Sequence, residues 1–349
     1  MFFQEGSNEK VNRTIVCTAI ASNYLPKAKV LARSLKRTNP NIDVIICLVE
    51  KEMNPEAKLC KYFDHVILAK DLGFENFDNF IFKYKLVEAS TAVKGQLFKY
   101  LMNEYKKFDQ FVYLDPDIFV LGSLDELQTA FDKHSIILTP HLLEPEEDDH
   151  AIWDNEICTL RYGVFNLGFL ALKRSAETDR FLDWWSKRLE FYCYDNLAVG
   201  LFTDQKWINL APAFFEDICI LKHPGYNVAP WNLSRRTVTL NDINQYKVND
   251  DPLIFFHFSG FDSGANAVML NKYAPGPNNA VQILRQEYMR ELNEMGQSHL
   301  GKTSWSYNYF LSGERITDTA RYFYRNNRNS QENVSSPFDK SNEFFLSQR

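Results

Sequence analysis

Phe111-Val112-Tyr113-Leu114-Asp115-Pro116-Asp117-Ile118-Phe119-Val120 is an apolar run interrupted by two carboxylates one residue apart. The four apolar residues before the acids read as a buried strand. A strand that ends in acids delivers negative charge to the carboxyl edge of a sheet, where open α/β sheets bind their ligands. Two carboxylates this close repel each other unless a cation lies between them. A hard divalent metal holding a phosphate-bearing substrate meets that need. Asp-Pro-Asp is also good turn material, because Pro fixes φ and Asp bonds nearby N–H groups. The position of the acids within an apolar strand, rather than between polar segments, favours the metal.

Working outward, strand and helix patterns alternate. Arg13–Ala21 reads as a buried strand. Tyr24, Ala28, Leu31 and Leu35 then recur on one helical face until Asn39-Pro40-Asn41 stops it. Residues 42–49 and 65–69 read as further strands, and a long helical region covers residues 79–105. After the acids, Ser123 with Glu126 looks like a helix start with a capping box, and residues 135–143 form another strand. This alternation predicts an α/β fold with a mostly parallel central sheet and helices on both faces. Later come an apolar strand carrying Asn166 and Gly168, and a helical stripe of Phe181, Trp184, Trp185 and Leu189. Thr203-Asp204-Gln205 opens another helix. Ile254–Gly260 reads as a late apolar strand ending in His257 and Gly260. Val281, Leu284, Tyr288, Leu292 and Met295 mark an amphipathic helix. Gly168 in a strand permits close backbone approach by a ligand. The acidic loop at residues 144–149 reads as a solvated connection.

Composition bounds the function. The 349 residues, 45% of them hydrophobic, suffice for one large core or two coupled lobes. A net charge of −6 gives no basic footprint for nucleic acid. No apolar run is long enough for a transmembrane helix, which leaves room for peripheral membrane contact, and the polar start lacks a signal-peptide core. Six scattered cysteines, none in Cys-x-x-Cys spacing, suit a reducing, cytoplasmic location without a zinc site. Cys17 and Cys47 fit buried thiols. The triplets at Asn12, Asn232 and Asn333 read as chance sequons.

Asp115, Asp117 and His257 each end an apolar strand, and such ends converge in one crevice of an α/β sheet. Two carboxylates and an imidazole, completed by phosphate oxygens, suit Mn²⁺ or Mg²⁺. With these motifs the chain resembles the nucleotide-sugar-dependent glycosyltransferases of the GT-A fold. Their order is similar to that of family 8, the glycogenin-like and bacterial lipopolysaccharide galactosyltransferase-like enzymes. Thr18 to Tyr24, Thr91-Ala92-Val93-Lys94, Leu114-Asp115-Pro116-Asp117, Phe165-Asn166-Leu167-Gly168, Thr203-Asp204-Gln205 and His257-Phe258-Ser259-Gly260 stand in the right sequence. Longer stretches, such as Gly163–Phe169, Gly200–Trp207 and Pro224–Leu233, look like a bacterial group of this type. One departure follows Gly260. The family commonly has a Lys-Pro-Trp segment there, whereas this chain has Phe261-Asp262-Ser263-Gly264.

The resemblance implies a GT-A catalytic domain at residues 13–270, between a polar segment at 1–12 and a C-terminal helical region at 271–325. A flexible tail at 326–349 completes the division. It implies Asp115, Asp117 and His257 as metal ligands. Thr18, Ala19, Ser22, Tyr24, Lys94, Asp115 and Gly260 would contact the donor, and Asn166, Asp204 and Gln205 would lie around the transferred sugar. Three have structural alternatives: Lys94 as a solvated helix lysine, Tyr24 as part of its helix's buried stripe, Asp204 as a helix N-cap. The implied reaction is retaining transfer of a hexose from a uridine diphosphate sugar, in bacterial surface glycan synthesis, to a glycan, lipid-linked or protein acceptor. Two other readings stay open: an inactive nucleotide-sugar-binding protein, and a phosphohydrolase of the haloacid dehalogenase type. Trp305, Tyr307, Tyr309 and Phe310 suit core packing more than sugar stacking.

Overall fold

The computed structural model describes residues 13–327 and 336–340. The expected polar segment at 1–12, most of the expected tail and the triplets at Asn12 and Asn333 lie outside them. The strands are β1 (Thr14–Ile20), β2 (Asp43–Leu48), β3 (His65–Leu68), β4 (Gln110–Leu114), β5 (Ile118–Val120), β6 (Ile136–Pro140) and β7 (Phe165–Lys173). They continue with β8 (Asp195–Asn196), β9 (Leu201–Phe202), β10 (Ile218–Ile220), β11 (Val238–Leu240), β12 (Tyr246–Val248), β13 (Asp251–Pro252) and β14 (Phe255–His257). Seven form one sheet in the order β10-β6-β7-β4-β1-β2-β3. Its pairs are parallel except at β7, which runs antiparallel to both β4 and β6. A mostly parallel sheet between helices is thus the observed architecture.

The sheet is buried on both faces, so its strands are apolar throughout rather than alternating. Ile15, Cys17, Phe111 and Tyr113 face one core with the helices Lys94–Glu104 and Ala176–Tyr192. Val16, Val112 and Leu114 face the other, against the helix Leu25–Thr38. Cys17 and Cys47 are fully buried, and burial pushes both thiols up. The short β5 leaves the sheet after Pro116 and pairs with β14, placing His257 opposite Ile118. Among the described residues no helix is long and apolar enough to cross a membrane.

Several local expectations change. The long helix expected at residues 79–105 is three helices, Phe77–Phe82, Leu86–Ala92 and Lys94–Glu104. The chain breaks at Tyr84, whose buried hydroxyl reaches the Leu189 and Glu190 carbonyls, and restarts at Lys85, whose N–H donates to Glu88 Oε2 at 2.9 Å. Ser123 does not cap its helix; its Oγ accepts from Asp125 N, and helix Glu126–Phe131 starts later. The acidic loop is not simply solvated, because Glu146 is buried and accepts from Asn155 and Ser234. Asn232 is also buried, donating to the His141 and Asn227 carbonyls.

The C-terminal region is woven into the rest. Helix Ala280–Glu294 buries Val281, Leu284, Tyr288 and Leu292 against Phe119 and β14, and Arg33 and Arg37 reach across to Glu291. Trp305, Tyr307 and Phe310 are core residues; Trp305 Nε1 donates to the Val49 carbonyl. Where the expected tail falls on described residues, Asn326 still ends helix Asp318–Asn326, and Phe338 is buried against Phe82 and Tyr307.

Candidate functional site

The acids leave the sheet at the carboxyl edge. Asp115 N donates to the Gly168 carbonyl at 2.8 Å, so β7 pins the first acid as β4 ends. Asp117 precedes β5, and β5 carries β14, so the β5–β14 ladder brings His257 beside both acids. His257 Nε2 lies 3.2 Å from Asp117 Oδ1 and 3.8 Å from Asp115 Oδ2. One ligand atom from each residue lies within 4.8 Å of the other two. Both carboxylates are partly open to solvent while the imidazole is buried. Two carboxylates and an imidazole so placed form a cluster that could hold a divalent metal ion.

Charge is strongly coupled here. Burial raises the Asp115 carboxyl, with Asp117 and Asp204 adding to the rise and Lys94 and His257 opposing it. Burial works against ionised Asp117 as well, but His257 and Lys27 outweigh it and hold that carboxyl low. Burial opposes charge on His257, yet Asp117 and Asp115 raise it above the ordinary imidazole value.

Lys94, at the start of its helix, is buried rather than solvated. Its ammonium lies 2.9 Å from Asp204 Oδ2 and 3.5 Å from Asp115 Oδ1, and donates to the Leu167 carbonyl at 2.9 Å. Burial disfavours the charge, but the two carboxylates prevail and the ammonium is held charged. Asp204 therefore pairs with Lys94 instead of capping a helix. It follows Thr203, whose φ of 44° is unusual for a β-branched residue and turns the chain into the cleft. Helical structure resumes at Lys206–Leu210.

Asn166 and Gln205 are also engaged with protein. Gln205 Oε1 accepts from Leu167 N at 3.1 Å, and its Nε2 donates to the Tyr162 carbonyl. Asn166 contacts His141, Gln205, Gly168 and His257. Gly168 does admit a close neighbour, but the neighbour is His257: a Cβ there would sit 2.4 Å from its Cε1.

Two cavities meet at the acids. A cleft of about 910 Å³ is lined by Lys94, Asn166, Asp204, Gln205, His257 and Gly260, among others. A chamber of about 170 Å³ is lined by Ala19, Tyr24, Tyr113 and Asp117. Asp115 lines both. Of the other residues expected at the donor, Thr18 is fully buried within β1 and lines neither cavity. Ser22 is turned inward, with its N–H on Glu50 Oε1 and its hydroxyl accepting from Asn54. Tyr24 has the Lys27 ammonium 4.0 Å above its ring, and Asp262, in the segment that departs from the Lys-Pro-Trp pattern, holds that ammonium at 2.5 Å.

Sequence reasoning missed His141, Asn227 and Trp231. His141 directly follows β6, the same strand-end signal that marked His257. Burial pushes it down to about 4, so it is neutral. Asn227 sits at a φ of 54°, with Oδ1 3.3 Å from His257 Nδ1. Trp231 packs edge-on against both histidines.

The model of the glycosyl transferase family 8 matches residues 15–260. The chain belongs to glycosyl transferase family 8. It is a glycosyltransferase of nucleotide-sugar chemistry, and the inactive-binder and phosphohydrolase readings give way to that assignment. The uncharacterized protein YfnF of Bacillus subtilis (strain 168) is 22% identical over 250 residues, covering 70% of this glycosyltransferase and 80% of YfnF. YfnD of the same organism is 26% identical over 172 residues, covering 49% and 52%. Among solved structures, the galactosyltransferase LgtC in complex with donor and acceptor sugar analogs aligns with 81% of this chain and 96% of its own, at 16% identity and a TM-score of 0.45. The glycosyltransferase GlyE of Streptococcus pneumoniae TIGR4 aligns over 86% and 66%, at 15% identity and a TM-score of 0.45.

Proposed function

We propose that this enzyme transfers a hexose from a uridine diphosphate sugar with retention, using Mn²⁺ or Mg²⁺ held by Asp115, Asp117 and His257. The observation that carries the reading is the position of these three groups at the junction of two cavities. A nucleoside in the small chamber and a sugar in the large cleft place the connecting diphosphate beside Asp115. The narrowness of the chamber supports a pyrimidine base, with Tyr24 as one wall. A bound divalent cation would offset the negative charge that grows on the departing diphosphate.

The chain's own groups have distinct parts. Lys94 neutralises Asp115 and Asp204 beneath the cleft, and its grip on Asp204 keeps that carboxylate from serving as a free base. Asn166, saturated by protein contacts, and Gln205, whose amide is anchored to Leu167 and Tyr162, shape the cleft wall. With no free base assigned, the leaving phosphate takes the proton. The bond from the anomeric carbon to the phosphate oxygen breaks and its electron pair stays on phosphate. The acceptor oxygen bonds the same carbon on the same face, and the acceptor proton passes to the departing oxygen. A bacterial surface glycan is the acceptor class that goes with this reading.

A panel of nucleotide sugars, assayed for hydrolysis with Mn²⁺, with Mg²⁺ and with chelator, tests it. Uridine diphosphate hexoses should turn over with metal and stop with chelator, and Asp117→Ala should remove turnover while leaving the fold, read by circular dichroism, intact. Full turnover by Asp117→Ala, or in chelator, would overturn the metal assignment.

A further inference from the structure

We infer that Asn166, its amide oriented by the Gly168 N–H and Gln205 and its nitrogen held by His141, fixes the tautomer of His257 and so turns its Nε2 lone pair toward Asp115 and Asp117. The inference rests on the metal reading above and adds to it a positioning residue outside the ligand set.

Five groups lie in line. The Val164 carbonyl is 3.3 Å from His141 Nδ1, and His141 Nε2 is 3.1 Å from Asn166 Nδ2. Asn166 Oδ1 is 3.2 Å from His257 Nδ1, and His257 Nε2 faces Asp117 at 3.2 Å. An imidazole nitrogen donates or accepts according to its proton, and an amide can be turned end for end, so distances alone do not orient such a chain. Backbone groups settle the direction. The Gly168 N–H, which can only donate, lies 3.2 Å from Asn166 Oδ1 and makes that atom the oxygen. Leu167 N–H donates to Gln205 Oε1, an oxygen that in turn faces Asn166 Nδ2 at 3.4 Å and makes that atom the nitrogen.

The rest follows from the donor and acceptor inventory. Asn166 Nδ2 donates to His141 Nε2, so the His141 proton is on Nδ1, where the Val164 carbonyl accepts it. Asn166 Oδ1 can only accept, so His257 carries a proton on Nδ1. The Asn227 Oδ1, 3.3 Å from the same nitrogen, is a second acceptor for it. His257 Nε2 is then left to a cation or to a second proton, which is the orientation a metal-ligating imidazole needs. Every polar capacity of the Asn166 side chain is spent in this arrangement, which argues for a positioning part rather than contact with sugar hydroxyls.

The test uses the full chain, freed of metal, without nucleotide. Mn²⁺ affinity is read from the electron paramagnetic resonance signal of free Mn²⁺, and the neutral tautomers of His141 and His257 from ¹⁵N spectra of histidine-labelled protein at alkaline pH. Both rings should show the proton on Nδ1. His141→Leu, which leaves Asn166 Nδ2 without an acceptor there, should weaken Mn²⁺ binding on the order of 10- to 100-fold. His141→Gln should stay within a few-fold of wild type, because its amide can donate to Val164 and accept from Asn166. A His257 proton on Nε2, or equal Mn²⁺ affinity in wild type and His141→Leu, overturns the inference. If wild type itself binds no Mn²⁺, the metal reading fails while the spectra still decide the tautomer. If His141→Leu does not fold, His141→Gln and the wild-type spectra decide.

Discussion

Lys94 is a fully enclosed ammonium between two carboxylates, so its removal strands charge rather than merely losing a contact. Breaking a buried pair from one side costs about 3–5 kcal/mol. Lys94→Met should therefore lower unfolding stability by about that amount, and Lys94→Met with Asp204→Asn should recover at least about 1 kcal/mol of it. Urea unfolding of both single variants and the double variant checks this; additive losses would mean that Lys94 and Asp204 do not interact. His257 supplies a pH prediction. In the metal-free protein its folded value is raised above the ordinary 6.5, so its contribution is fully present below about that pH and is lost as pH rises through the folded value. Stability measured in chelator should fall across that window, and His257→Asn should flatten the fall. At this scale Asp115, Asp117 and His257 were legible because each interrupts or ends an apolar strand. The work of Asn166 was not, because its partners come from the residue after β6, from β14 and from the turn at Gln205, and only folding brings them together.

Strand β7 shows how one element converts sequence into site geometry. Its antiparallel run places its first residues, not its last, at the edge where β4 ends, so Asn166 and Gly168 arrive beside Asp115. Gly168 leaves room there for the His257 ring. Gly168→Ala should push that ring aside, weakening Mn²⁺ binding at least tenfold and costing about 1–3 kcal/mol of stability. Titration and thermal unfolding would show it, and unchanged Mn²⁺ affinity would place the ring elsewhere. Continuous apolar strands and the spacing of helical stripes made the layered α/β architecture readable. Periodicity could not show that residues 79–105 form three helices, because the breaks are set by tertiary bonds, Tyr84 to Leu189 and Glu190 and Lys85 to Glu88. Nor could it show that β7 runs against its neighbours, since a strand buried on both faces reads alike in either direction.

Across the whole molecule, the C-terminal segment is part of the same core as the sheet. Trp305, Tyr307 and Phe310 are buried there, Ser306 N donates to Glu50, and Arg321 reaches the Phe82 and Tyr307 carbonyls from its helix. Burying such side chains contributes roughly 1.5–3 kcal/mol each. Deleting residues 302–349 should lower the melting temperature by more than about 10 °C or prevent folding. A truncated chain that melted like the full one would show the segment to be dispensable. The aromatic residues Trp305, Tyr307 and Phe310 signalled packing in the sequence, but not which wall they would seal.

The short ladder between β5 and β14 also bears on how the chain matures. Two strands of three residues do not hold together alone, and their partners lie far apart along the polypeptide. His257 reaches Asp115 and Asp117 only once β14 has docked on a nearly complete core. During synthesis, a nascent chain ending before β14 would carry two acids without their imidazole partner. A cation bound by all three groups would favour the finished fold over earlier ones by mass action, so capture of the ion would mark the close of folding.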